Sequence, residues 1–148
     1  MKNRPIFNSI ITMIILNLIV FLSTITLHEL GHVIAGKFMK CDGVKAVIFD
    51  SKEQTPYTEL ECYNVESHEF AYLSGLMLTT LFSFSFLFFT EKSQRNMFWV
   101  VLGLGIFFAS LDIVTITGVE IMRYLCMAIS LVFLVIGEVL TGISFEKY

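Results

Sequence analysis

Charge is scarce in this chain: Asp, Glu, Lys and Arg make up 16% of its 148 residues, and the formal net charge is only -3. With 55% of the residues hydrophobic, that scarcity excludes an ordinary water-soluble domain as the leading reading and places the chain in the membrane class. No basic cluster is present, so nothing offers the electrostatic footprint that a nucleic-acid partner requires. Three cysteines make neither a disulfide framework nor a CxxC metal pair. Cys41 and Cys62 fall in a polar segment and Cys126 in an apolar run. Cys41 and Cys62 are read as free thiols, with pairing reserved for the case in which their segment faces an oxidising compartment. Internal repeats and low-complexity tracts are missing as well. So is a small-residue cleavage site after the apolar stretch led by Lys2 and Arg4; that stretch is too long for the apolar core of a signal peptide and is read as a retained helix.

What is there is long apolar runs. Residues 6–27 carry no charge, and at about 1.5 Å per residue such a run crosses a hydrocarbon core of roughly 30 Å. The helical pattern continues through HELGHVIAGKFM, which makes the first helix longer than a bilayer needs and free to tilt. Residues 70–90 are again uncharged, residues 98–119 are interrupted only by Asp112, and residues 121–141 carry Arg123 near the start and Glu138 near the end. The long side chains at these ends reach the interface. The expected fold class is therefore an all-α integral membrane protein, one domain over 1–148. Its four transmembrane helices span residues 6–39, 69–90, 97–117 and 119–142, and both termini lie on one side. The expected location is a multi-pass position in the lipid bilayer of the cell membrane.

The polar insertion, residues 40–68, holds two β-prone stretches, VKAVIF (44–49) and TELECYNV (58–65), separated by DSKEQTP with turn chemistry around Pro56. They predict a small β-hairpin at the membrane surface. Orientation is not selected by charge: Lys2, Arg4, Lys92, Arg95 and Lys147 on one side balance Lys37, Lys40, Lys45, Lys52 and Arg123 on the other.

Chemistry concentrates in His28-Glu29-Leu30-Gly31-His32, an HExxH motif on a stretch already read as helix, which is the context the motif requires. Residues four apart stand one above the other on a helix face, so both imidazoles can reach one tetrahedral zinc at about 2.0–2.1 Å. Glu29 stays on the same side of the helix, three residues before His32. Its expected role is general base towards a water that zinc makes acidic, followed by return of the proton to the leaving amine. A chance match near a helix end is the competing reading. Against it, two of only three histidines fall at this spacing, and unpartnered His and Glu in an apolar helix are costly.

A catalytic zinc takes three protein ligands and leaves a fourth position open. Asp112, the only charged residue of the third run, is the expected third ligand. Spans one and three point the same way, and both His28–His32 and Asp112 lie late in their helices, hence near one membrane face. Two alternatives compete: Asp112 pairs with Arg123 beyond the turn near Gly118, or His68 supplies the third ligand. His68 is read as a solvated boundary residue, and Glu61, Glu66 and Glu69 as a hydrated acidic surface. Gly31, Ser74 and Gly75 are small enough to let two membrane helices approach closely, and the phenylalanines between 82 and 89 are read as packing or lipid-facing residues.

HELGH on an apolar helix followed by a later intramembrane aspartate resembles the site-2 protease family of intramembrane zinc metalloproteases, of which the chain looks like a minimal or divergent member. The resemblance implies one zinc per chain held by His28, His32 and Asp112, with Glu29 catalytic, and a site towards the cytosolic face. The family's aspartate sits in Asn-x-x-Pro-x-x-x-Leu-Asp-Gly; here GIFFASLDI keeps Leu111-Asp112 but has Gly105, Phe108 and Ile113 in place of Asn, Pro and Gly. Span two has Ser74-Gly75-Leu76 where many members have a Gly-Pro step. The implied activity is hydrolysis of peptide bonds in membrane-embedded or membrane-proximal segments of a membrane-protein substrate, bound extended along the hairpin. One rival is a catalytically silent metal-binding regulator or chaperone of membrane proteins. Another is a transporter subunit with Asp112 and Glu138 on an ion path. Oligomeric state is not legible.

Overall fold

The computed structural model describes residues 6–47, 56–63 and 65–146. Helix α1 runs over Ile6–Phe38, 33 residues or about 50 Å at the α-helical rise. Strands β1 (Asp42–Val47) and β2 (Tyr57–Glu61) follow, then α2 (Val65–Ser85) with a short 3-10 turn at Phe86–Phe88, α3 (Lys92–Thr117) and α4 (Ile121–Glu146). All four helices are long and apolar enough to cross a membrane.

Both ends of α1 and the end of α3 fall within one residue of the expected positions, whereas the other ends depart by two to five residues, because charges mark where an apolar run stops and not where hydrogen bonding stops. Helix α2 starts at Val65, four residues before the expected 69, and so takes in the end of the polar insertion. This puts His68 on the helix. Helix α3 starts five residues early, at Lys92, with Glu91 as its N-cap. It stops at Gly118, whose φ of 67° turns the chain into the left-handed region while its N–H donates to the Val114 carbonyl at 2.7 Å. Helix α4 therefore begins at Ile121, two residues late, and continues to Glu146.

The hairpin forms, with β1 and β2 antiparallel and Lys45, Ala46 and Val47 opposite Glu59, Thr58 and Tyr57. A register irregularity between Asp42 and Lys45 is taken up at Gly43, φ 63°, a left-handed conformation that costs glycine nothing. Residues 48–55 between the strands, which include the last two residues of the expected stretch 44–49, lie outside the described residues.

Helix α1 ends with paired bonds from Lys40 N–H to the Lys37 carbonyl at 3.2 Å and from Cys41 N–H to the Gly36 carbonyl at 2.8 Å. Lys40 takes the left-handed conformation, φ 58°, that this termination requires and glycine usually supplies.

Cys41 and Cys62 form a disulfide, which overturns the free-thiol expectation. The reason is register: Asp42 lies opposite Glu61, so the residues one step further out face each other, with 4.4 Å between their Cα atoms. Beside the cross-link the Tyr63 hydroxyl donates to Asp42 Oδ2 at 2.6 Å, and that bond to the carboxylate pushes the phenol pKa above its ordinary value.

The helices meet through small residues. A Cβ on Gly105 would lie 2.7 Å from Thr79 Oγ1, on Gly103 3.0 Å from the Ser130 carbonyl, and on Gly137 2.8 Å from the Val100 backbone N. Close approach of this kind is how apolar helices pack in the absence of a hydrophobic drive between them. The buried centre is Val20, Met97, Val100 and Val101, flanked by Leu16, Phe82, Phe86, Leu104 and Leu134. Outside, Ile14, Leu18, Leu81, Leu131 and Val139 stay exposed, an apolar exterior far larger than the patches soluble monomers carry.

Candidate metal centre

His28, Glu29 and His32 occupy one buried stripe of α1, with 2%, 6% and 4% of their surfaces exposed. Asp112 reaches the same point from α3. His28 Nε2 lies 3.0 Å from Asp112 Oδ2, His32 Nε2 3.4 Å from the same oxygen, and the two Nε2 atoms 3.2 Å from each other. The three residues form a cluster that could hold a metal ion.

Donor chemistry tests the fit. His32 Nδ1 lies 2.8 Å from the Ala71 carbonyl, which can only accept, so Nδ1 carries the ring hydrogen and Nε2 of the neutral ring presents a lone pair. The Asp112 carboxylate also only accepts. A single hydrogen on His28 Nε2 cannot satisfy both, whereas one cation between the three atoms satisfies all of them. The spacing agrees: donors about 2.0–2.1 Å from a tetrahedral zinc lie about 3.3–3.4 Å apart, within a few tenths of an ångström of the three distances found. The donors, two imidazoles and a carboxylate, are those of catalytic zinc sites. His28 Nδ1 is buried with no hydrogen-bond partner among the described residues, as a ring committed through Nε2 leaves it.

Helix α2 closes the site from behind. A Cβ on Gly31 would stand 2.5 Å from the Ser74 carbonyl, and a Cβ on Gly75 would stand 2.6 Å from His32 Nε2 and 2.8 Å from His28 Cε1. Bare backbone at both positions is what lets α1 and α2 touch at the motif. Gly75→Ala is therefore expected to push the imidazoles out of register. The overpacking is worth about 1–3 kcal/mol, read as a lower thermal midpoint in detergent together with weaker binding of any metal ion at the trio. Gly142→Ala is the control, since a Cβ there meets nothing within 4 Å.

Glu29 is not a member of the converging trio. Its Oε2 accepts a 2.6 Å hydrogen bond from the Thr58 hydroxyl on β2. The motif side of α1, the strand β2 and the facing parts of α3 and α4 enclose a cavity of about 460 Å³ lined by His28, Glu29, His32, Asp112, Thr58 and Arg123, with apolar walls from Ile25, Phe107, Phe108 and Met127. Arg123 shares the cavity, but the ion-pair distances of Asp112 among the described residues are to the two histidines, so the arginine alternative does not describe this carboxylate. His68 packs its ring against Tyr72 at 4.6 Å and stands outside the converging cluster. Glu61 and Glu69 are exposed; the Glu66 side chain lies outside the described residues. Glu138 does not line the cavity that holds Asp112.

Thr58 is the site residue that sequence reasoning missed. Its only signal was alternation in β2, where Thr58 and Leu60 are partly buried while Glu59 and Glu61 are exposed. Nothing in that pattern says which helix the inner face meets. Comparison of the chain with models of known protein families, with curated proteins and with solved structures found no match, so the site stands on its own geometry.

Proposed function

We propose that this chain is a multi-pass integral protein of the cell membrane and an intramembrane zinc metalloprotease, cutting peptide bonds in membrane-embedded or membrane-proximal segments of other proteins. The observation that carries this reading is the convergence of His28 Nε2, His32 Nε2 and Asp112 Oδ2 one residue from a buried glutamate, on a helix apolar enough to span a bilayer.

His28, His32 and Asp112 would hold the zinc, which when bound supplies a Lewis acid that lowers the pKa of a water towards about 7 and polarises a carbonyl. Glu29 is the general base: its carboxylate takes a proton from the attacking water and gives it to the departing amine, so the peptide C–N bond breaks as a new C–O bond forms. The apolar walls at Ile25, Phe107 and Phe108 limit bulk water, which strengthens each of these electrostatic interactions. The hairpin, two-stranded among the described residues, offers a strand edge to an extended substrate, whose main chain can add to the ladder. An exposed apolar exterior and four span-length helices support the membrane assignment.

The cross-link at Cys41–Cys62 bears on orientation, because disulfides persist in oxidising compartments. It favours a hairpin and a site facing the non-cytosolic side, with both termini cytosolic, opposite to what the family resemblance implies.

Zinc-loaded protein in proteoliposomes, given a panel of single-span reporter proteins tagged on both sides of the membrane, is expected to cut at least one reporter. Chelation is expected to stop the reaction and added zinc to restore it. Absence of any zinc-dependent fragment across the panel would contradict the protease reading. Fragments released only from the side of the vesicle that carries the hairpin would place the site there, and release from the side of the termini would overturn the orientation.

A further inference from the structure

We infer that Thr58 is a positioning residue for Glu29, so that the disulfide-closed hairpin is a wall of the reaction site and not an appendage to it; this rests on the reading of Glu29 as general base. Glu29 is nearly fully buried, and its Oε2 accepts from the Thr58 hydroxyl at 2.6 Å, across 29 residues of sequence. A bond this short to a carboxylate is charge-assisted and among the stronger side-chain hydrogen bonds. With Oε2 held as acceptor, Oε1 is the oxygen left to take a proton, and the carboxylate loses the rotational freedom that would otherwise spread it over several rotamers.

Four features hold Thr58 in place. The end of α1 is closed by the Cys41 N–H bond to the Gly36 carbonyl, which aims β1 back along the helix. At Gly36 the absence of a side chain admits Val44: a Cβ there would lie 3.1 Å from Val44 Cγ2. Gly36 is seven residues from Glu29, two helical turns along the same face and about 10 Å away. Pairing of Ala46 with Thr58 then sets the height of the hydroxyl over Glu29. The Cys41–Cys62 cross-link fastens β2 to that anchored β1. A surface hairpin needs none of this to satisfy its own backbone.

The test compares Thr58→Val, Thr58→Ser and the double variant Cys41→Ser/Cys62→Ser with the parent protein in detergent. Thr58→Val is expected to lower kcat about 10–100-fold, the range that loss of one hydrogen bond to a charged group produces, with KM changed less than about threefold and zinc content kept near one per chain. Thr58→Ser keeps the hydroxyl and is expected to stay within about threefold of the parent. The double serine variant is expected to lie between them, since it loosens the hairpin without removing the donor. A second readout needs no turnover: in zinc-free protein, backbone amides of 57–61 are expected to exchange hydrogen faster in Thr58→Val than in Thr58→Ser, because the tie to α1 is gone. Parental kcat in Thr58→Val, an equal loss in Thr58→Ser, or loss of zinc from Thr58→Val would each overturn the inference. A parent protein that cuts nothing would defeat the protease reading, while the exchange comparison would still decide the contact.

Discussion

Glu29→Gln is expected to bind about one zinc per chain, like the parent, and to lose about 10²–10⁴ of its turnover, the range attributed to a positioned general base. The amide keeps the size of the carboxylate and can still accept the Thr58 hydroxyl through its carbonyl oxygen, so the 2.6 Å contact and the packing of the buried side chain survive. What disappears is the basic oxygen. Glu29 also lies outside the converging donor set, so zinc content should not follow activity. Metal analysis on the same preparation used for the cleavage assay separates the two. A Glu29→Gln protein that cuts like the parent would remove the proposed chemistry. A cellular effect that persists in the variant without cleavage would favour the silent-regulator reading.

The opposite pattern is expected at Asp112. Replacing it with alanine removes the only oxygen donor of the trio and leaves the two imidazoles, whose Nε2 atoms stand 3.2 Å apart in the parent. Loss of a group that only hydrogen-bonds a metal ligand weakens zinc binding about 10–100-fold. Loss of a ligand is expected to exceed that, so that dialysis against a competing chelator strips Asp112→Ala and not the parent. Activity should vanish with the metal. Arg123→Ala supplies the comparison, since Arg123 lines the same cavity but stands outside the donor cluster: its zinc content is expected to match the parent. Equal zinc loss in both variants would mean that the loss reports disturbance of the shared cavity and not removal of a ligand.

How much of this was legible beforehand depends on the range over which each signal acts. His28 and His32 share a face because helical periodicity says so within four residues, and Asp112 stood out because a carboxylate in an apolar run needs a partner. The topology of the runs put it near the same end of the bundle. Span ends were less legible. Glu66 and Glu69 look like loop residues by composition, yet the backbone hydrogen bonding of α2 begins at Val65 and the helix extends through them. The Cys41–Cys62 bond was hidden by a separation of 21 residues; only the register of β1 against β2 brings the sulfurs together, and register is not encoded by either cysteine. Thr58 was hidden for a related reason. Alternation tells which face of β2 is buried, but its meeting with Glu29 depends on a lysine adopting φ 58° at the end of α1 and on Val44 settling over Gly36, contacts made between elements.

X-ray absorption at the zinc edge, on protein purified without added metal chelators, measures the donor set directly. The expected spectrum has two imidazole nitrogens and at least one carboxylate oxygen about 2.0–2.1 Å from zinc, no sulfur shell near about 2.3 Å, and about one zinc per chain. A spectrum dominated by sulfur, or one unchanged when Asp112 becomes alanine, would contradict a site built from His28, His32 and Asp112.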